Sequence, residues 1–298
     1  MTLIQQIRAM GLGIGILASA LALGCAATSQ APEPAPPEIT PDVVYGHKDG
    51  MALVYDVFKP ARSNGAGIAF MISGGWFSRW APPDERVDGF RELLDRGFTV
   101  FAVHHGSAPR FKVPDAVADV RQAIRHIRLH AARHGIDPQR LGVTGGSAGG
   151  HLSLMLGMAS DPGDPAAKDA VQRTGDQVQA VVALFPPVDL TFMVGPSERF
   201  PALDFSREEA QKISPIGFVS ADDPPTLLIH GDQDRLVPLR NSTVMLEALQ
   251  QVSVQSELVV IEGGDHGFRN PEHRKRSREA MIAWFEKHLA PAPSVAGK

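Results

Sequence analysis

A chain of 298 residues that is 43% hydrophobic and 21% charged holds the material for one α/β domain with a sizeable core. Its formal net charge of −4 provides no broad basic field, which argues against nucleic acid as a partner. A single cysteine, Cys25, excludes an intramolecular disulfide, and no cluster of Cys and His exists that would bind zinc.

The first ten residues, MTLIQQIRAM, carry one Arg and no acid, and the apolar run GLGIGILASALALG follows. Residues 1–27 therefore read as an export leader, the run being short for a membrane span. Two endings fit. Leu21-Ala22-Leu23-Gly24-Cys25 resembles a bacterial lipobox, with Cys25 as the lipid-accepting residue and a membrane anchor as the consequence, although Ala22 stands where Leu is usual. Cleavage after small residues near Ala22 or Ala27 would instead release a soluble exported protein. Either way the expected location is outside the cytoplasm of a bacterium: periplasmic, tethered to the outer membrane, or secreted.

Residues 28–41 contain SQAPEPAPPEITP, whose proline density favours an extended, solvated tether. The folded domain is expected over 42–291, with a short tail at 292–298. Inside the domain, VVYG and ALVYDVF flank the turn HKDG and predict an antiparallel hairpin. GIAFMIS predicts a buried strand, DERVDGFRELLDRG a helix stopping at Gly97, and FTVFAV another strand. Val117, Val120, Ile124 and Ile127 recur at helical spacing and predict a helix from Pro114 to Gly135. RLGVT, VQAVVALF, TLLIHG and SELVVIEG read as further strands, with helices over HLSLMLGMA, Leu239–Leu249 and Glu279–Leu289. This alternation predicts a mostly parallel sheet of about eight strands covered by helices on both faces, with the hairpin at one edge. The segment 189–223 is too long for a plain connection and reads either as a small lid-like or binding insertion or as a solvated surface loop.

Working residues in such sheets gather in loops after the strands. Gly145-Gly146-Ser147-Ala148-Gly149 fits G-x-S-x-G between a strand and a buried helix, the setting that thrusts a serine hydroxyl above a sheet. A serine needs a base to take its proton and a carboxylate to orient that base. Asp234 follows TLLIHG and His266 follows SELVVIEG, in the chain order Ser, Asp, His. Asp232 and Asp265 are rivals in the same loops, and Asp232 is read as a turn residue. His126, His130, His134, His273 and His288 are read as surface residues. His151 is read as a hydrogen-bonding residue of the buried helix, and His104 and His105 either line the pocket mouth or are structural. Oxyanion donors are expected from the backbone of Ala148 and of Gly74 and Gly75, in ISGGWFSRW after the strand GIAFMIS. Trp76, Arg79 and Trp80 of that loop are candidate substrate contacts.

These residues resemble the α/β-hydrolase superfamily, in particular its esterase and lipase branch with an H-G-G-G-W-type oxyanion loop, akin to acetyl-esterase, feruloyl-esterase-like and arylformamidase-like enzymes. YDVFKP, GIDPQRLGVTGGSAGGHLSLM, KISPIGFVSADDPPTLLIHGDQDRLVP and DHGF carry the likeness, which runs from about Val43 to Leu289. It implies Ser147 as nucleophile, His266 as base, Asp234 as acid, and Gly74, Gly75 and Ala148 as oxyanion donors, with no cofactor. One departure stands out: Ile72 and Ser73 occupy the positions of the family's His and first Gly, so this loop must be held by other groups. The expected activity is hydrolysis of a small-molecule or carbohydrate-linked ester with a short acyl group. A prolyl-oligopeptidase-like peptidase and a catalytically silent binding protein on the same fold are the competing readings.

Overall fold

The computed structural model describes residues 35–291; the leader with Cys25, residues 28–34 and the tail 292–298 lie outside the described residues. The chain opens with the hairpin of β1 (Glu38–Lys48) and β2 (Met51–Lys59), turning at Asp49 and Gly50 with φ of +48° and +78°. Strand β1 starts at Glu38, so the tether expected to reach residue 41 gives up its last residues to the sheet, with Ile39 paired to Phe58. Pro41 is tolerated because β1 is an edge strand and its register shifts between Thr40 and Val43.

Then follow β3 (Gly67–Met71), α1 (Val87–Asp95), β4 (Thr99–Val103), α2 (Val113–Leu129), α3 (Ala131–His134), β5 (Leu141–Gly146) and α4 (Ala148–Met158). The second half adds α5 (Ala170–Arg173), β6 (Ala180–Leu184), α6 (Arg207–Gln211), β7 (Thr226–Gly231), α7 (Arg240–Gln251), β8 (Ser256–Ile261) and α8 (Pro271–His288). The sheet order is β1-β2-β4-β3-β5-β6-β7-β8, with β2 antiparallel to both neighbours and every other pairing parallel.

Alternation along each central strand divides the core between the two sheet faces. On β4, Phe101 and Val103 join Val120, Ile124 and Leu152 of α2 and α4. Val100 and Ala102 join Phe90 and Leu93 of α1 and Trp284 and Phe285 of α8 on the other face. Helix α4 is buried along its whole length, which is why its sequence is apolar all round.

The long helix expected to reach Gly135 is interrupted at His130, and Gly135, at φ +70°, ends the short α3. His134 is buried, not superficial: its Nε2 and the Nδ1 of half-buried His126 lie 3.1 and 3.0 Å from the Tyr55 hydroxyl. That hydroxyl can donate to one ring and accept from the other. The 189–223 segment is packed rather than solvated. It carries 3₁₀ turns at Leu190–Phe192, Pro201–Leu203 and Pro215–Phe218 beside α6, and it buries Leu190, Ala202, Leu203 and Ala210 in the core.

Candidate active site

Strand β5 ends in two glycines and turns directly into α4, leaving Ser147 at φ +55°, ψ −118°. A left-handed φ at a non-glycine residue is a strained conformation that the surroundings must impose. The flanking glycines supply the space. A Cβ on Gly145 would lie 2.6 Å from the Gly149 backbone, one on Gly149 would lie 2.8 Å from the Met71 carbonyl oxygen, and one on Gly146 would meet the Phe185 ring at 2.9 Å. The Ser147 N–H is held by the Leu184 carbonyl at 2.9 Å, while the hydroxyl caps nothing in α4 and is left to other partners.

Those partners come from the ends of β7 and β8. His266 Nε2 lies 3.0 Å from Ser147 Oγ, and His266 Nδ1 lies 2.7 Å from Asp234 Oδ2. An ionised carboxylate only accepts, so Nδ1 carries the ring proton and Nε2 faces the serine as an acceptor. Asp234 Oδ1 accepts the backbone N–H groups of Leu236 and Val237, both at 2.9 Å, which fixes the carboxylate's orientation. The rivals have other partners: Asp232 accepts the Gly263 N–H at 2.8 Å, and Asp265 pairs with Arg269.

The loop after β3 closes on itself through Gly74, whose N–H donates to the Phe77 carbonyl while Phe77 returns the bond, both at 3.0 Å. Gly74 therefore cannot offer its N–H to an oxyanion, contrary to the expectation from sequence. Among the described residues, Gly75 N–H, Trp76 N–H and Ala148 N–H make no backbone hydrogen bond, the last because it is the first residue of a helix. Gly75 (φ +57°) and Trp76 (φ +59°) both have left-handed φ, which is strained at the tryptophan and marks a tight turn of the loop.

The missing His of this loop has a counterpart in the segment just after β4. Ser73 Oγ lies 2.8 Å from His105 Nε2, while His105 Nδ1 donates to the Gly106 carbonyl at 2.9 Å. The serine hydroxyl is thus the donor to Nε2. Burial pulls His105 down to about 4, so it stays neutral and keeps that acceptor. The same segment braces the loop again: Ala108 N–H donates to the Trp76 carbonyl at 3.1 Å, and Ser78 N–H donates to Ser107 Oγ at 3.0 Å. His105 and its buried neighbour His104, which lies 3.3 Å from Ser78 Oγ, are structural supports.

Trp76 is buried, so it is an anchor beneath the loop rather than an open acyl floor. Its indole N–H donates to His151 Nδ1 at 3.4 Å, and His151 Nε2 is tied to the Ile213 carbonyl at 2.7 Å. Arg79 and Trp80 have partners outside the Ser147–His266–Asp234 chain. The Arg79 guanidinium stacks 5.9 Å from the Phe77 ring, and the Trp80 indole donates to Asp42 on β1 at 3.1 Å. The Trp80 contact ties the end of this loop to the edge strand of the sheet.

Three residues escaped the sequence reading. His230, a polar residue inside the apolar run of β7, is fully buried and lies 3.4 Å from Asp234 Oδ2. Burial lowers its pKa, and it donates to the Val237 carbonyl at 2.8 Å while facing Ser242 Oγ at 2.7 Å. Phe185, just after β6, packs edge-on against His266 with ring centroids 4.7 Å apart. Phe200 of the insertion sits over the oxyanion loop, 3.2 Å from where a Gly75 Cβ would be. The polar break in β7 could have signalled His230; nothing local marks the two phenylalanines.

Known proteins resemble this chain in sequence and in fold. The chain is 30% identical to the probable carboxylic ester hydrolase LipM of Mycobacterium tuberculosis over 231 residues, 72% of this chain and 52% of that protein, so it spans about half the length of that relative. A truncated carbohydrate esterase from gut microbiota superposes with a TM-score of 0.72 at 27% identity, covering 85% of this chain and 97% of the other. Thermogutta terrifontis esterase 2 phosphorylated by paraoxon superposes with a TM-score of 0.70 at 29% identity, covering 86% and 96%. The fold is that of the α/β-hydrolase esterases. The BD-FAE family model matches residues 55–249, and the chain belongs to that family.

Proposed function

We propose that the chain is a serine carboxylic ester hydrolase working through an acyl-enzyme. Ser147 Oγ attacks the ester carbonyl carbon as His266 Nε2 takes its proton, and Asp234 stabilises the resulting imidazolium. The carbonyl oxygen becomes an oxyanion facing the N–H groups of Gly75, Trp76 and Ala148. The carbon–oxygen bond to the alcohol then breaks, with His266 returning the proton to the leaving oxygen. Water repeats the sequence, releasing the acid and restoring Ser147. The observation that carries this reading is the chain Ser147 Oγ–His266–Asp234 at 3.0 and 2.7 Å above a left-handed serine. The esterase relatives support it. Residues 1–27 are proposed as an export leader, with Cys25 or an ordinary cleavage site deciding whether the enzyme is lipid-anchored.

Short acyl groups fit best, because Phe185 packs against Gly146 and Phe200 against Gly75, crowding the reacting carbonyl from two sides. Across p-nitrophenyl acetate, butyrate, octanoate and decanoate, kcat/KM should peak at acetate or butyrate and fall about tenfold or more by octanoate. A maximum at octanoate or beyond contradicts the short-acyl assignment. Faster cleavage of proline p-nitroanilides than of any ester would favour the peptidase reading.

The Ser73–His105 contact gives a second expectation. Ser73→Ala should lower kcat about tenfold with KM within about twofold, and Ser73→Thr should restore most of it, because a loop donor misplaced by a fraction of an ångström weakens transition-state binding alone. Equal loss in the Ala and Thr variants would mean that the hydroxyl does not hold the loop.

A further inference from the structure

Beside His266 lies a cavity of about 450 Å³ lined by Arg199, Gln233, Arg235, Leu236, Asp265, His266 and Arg269. Its three arginines come from three different places: the insertion, the loop after β7 and the loop after β8. Only Arg269 is neutralised, by Asp265 in the same loop. Among the described residues, Arg199 and Arg235 have neither a salt-bridge partner nor a hydrogen bond from their guanidinium groups, and Arg199 is stacked 5.1 Å from the Phe200 ring. Phe200 in turn packs against Gly75 of the loop after β3. Two exposed, unpaired guanidinium groups from separate segments lining one cleft, in a protein of net charge −4, form a local positive site that the overall charge does not predict.

The chemistry says which half of the ester enters this cleft. His266 must hand a proton to the leaving oxygen, so the alcohol half lies against His266, and His266 is the triad member that lines the cleft. Resting on the esterase reading above, we infer that the preferred alcohol carries an anionic oxygen group, held between Arg199 and Arg235. Guanidinium forks match such groups through paired N–H donors, and Leu236 supplies an apolar wall for the alcohol's body.

The test compares the acetate ester of 4-hydroxybenzoate with that of 4-hydroxybenzamide, which differ in charge on the alcohol half. The quantity read is the ratio of their kcat/KM values, in which any loss of active protein cancels. In Arg199→Gln/Arg235→Gln the ratio of charged to neutral ester should fall about five- to tenfold from wild type. Arg235→Glu should lower it further, and in wild type it should fall as NaCl rises from about 20 to about 500 mM. A ratio that stays within twofold of wild type in both variants overturns the inference. So does a larger loss on p-nitrophenyl hemisuccinate, which carries its anion on the acyl half. Hydrolysis of neither acetate ester by the wild-type protein would instead overturn the esterase reading itself.

Discussion

Replacing Ser147 by Ala is expected to lower kcat on p-nitrophenyl acetate by about 10⁵- to 10⁶-fold, the loss found when a triad nucleophile is removed and only binding and the oxyanion donors remain. The fold should survive. The hydroxyl caps no helix and its one close partner is His266, while the strained φ of +55° is imposed by the backbone bond to Leu184 and by the neighbouring glycines, which the variant keeps. Thermal denaturation should therefore shift by no more than about 2 °C. Activity within about tenfold of wild type, in a variant shown by mass to be pure, would remove Ser147 from the mechanism.

The second large effect is expected from Asp234→Asn, with a kcat loss of about 10⁴-fold. The reason lies in how the carboxylate is held. Oδ1 accepts two backbone N–H groups, from Leu236 and Val237, so the amide of an asparagine must put its oxygen there. Its NH₂ then occupies the place of Oδ2 and donates to His266 Nδ1. The ring proton moves to Nε2, which can no longer accept the Ser147 proton. Geometry is preserved and the tautomer is wrong. The nearby His230 Nε2–H, 3.4 Å from the same position, faces a donor in the variant and adds to the cost. Asp234→Glu or Asp234→Ala would disturb the loop as well, so the Asn variant is the discriminating one. A loss of less than about tenfold would show that Asp234 does not set the imidazole's state.

Much of this site could be read from sequence because each member of the Ser147–His266–Asp234 chain lies at or in the loop after the end of a strand. Apolar runs located β5, β7 and β8, and the first Ser, Asp and His loops after them contain Ser147, Asp234 and His266. The elbow glycines were legible for the same reason: a strand running straight into a buried helix leaves no room for side chains at 145, 146 and 149. The oxyanion loop was less legible. Which of its N–H groups is available depends on the reciprocal bond between Gly74 and Phe77, made by a turn whose closure no spacing rule reveals. Trp76 is buried behind that turn, and Trp80 reaches Asp42 on the edge strand. Ile72 and Ser73 showed that the loop needed another support, but the partner, His105, stands 32 positions away and meets Ser73 only because β3 and β4 are neighbours.

The start of β1 was hidden for a related reason. Proline-rich sequence argues against strand locally, yet an edge strand with a register shift accommodates Pro41 at no cost to its neighbour's bonding. Likewise Phe185 and Phe200 come from the end of β6 and from the insertion, and only the closed fold places their rings beside Gly146 and Gly75. Local pattern located the three side chains of the Ser147–His266–Asp234 chain; the phenylalanine rings beside Gly146 and Gly75 come from distant segments.

Activation of Ser147 by His266 and Asp234 can be measured by treating the protein with paraoxon and mapping the phosphorylated residue by mass spectrometry, in wild type and in His266→Ala. The expected result is one diethylphosphoryl group on Ser147 in wild type, formed together with loss of esterase activity, and a rate of labelling at least about 10³-fold lower in the variant. A wild-type protein that stays unlabelled, or one labelled at another residue while activity is lost, would contradict it.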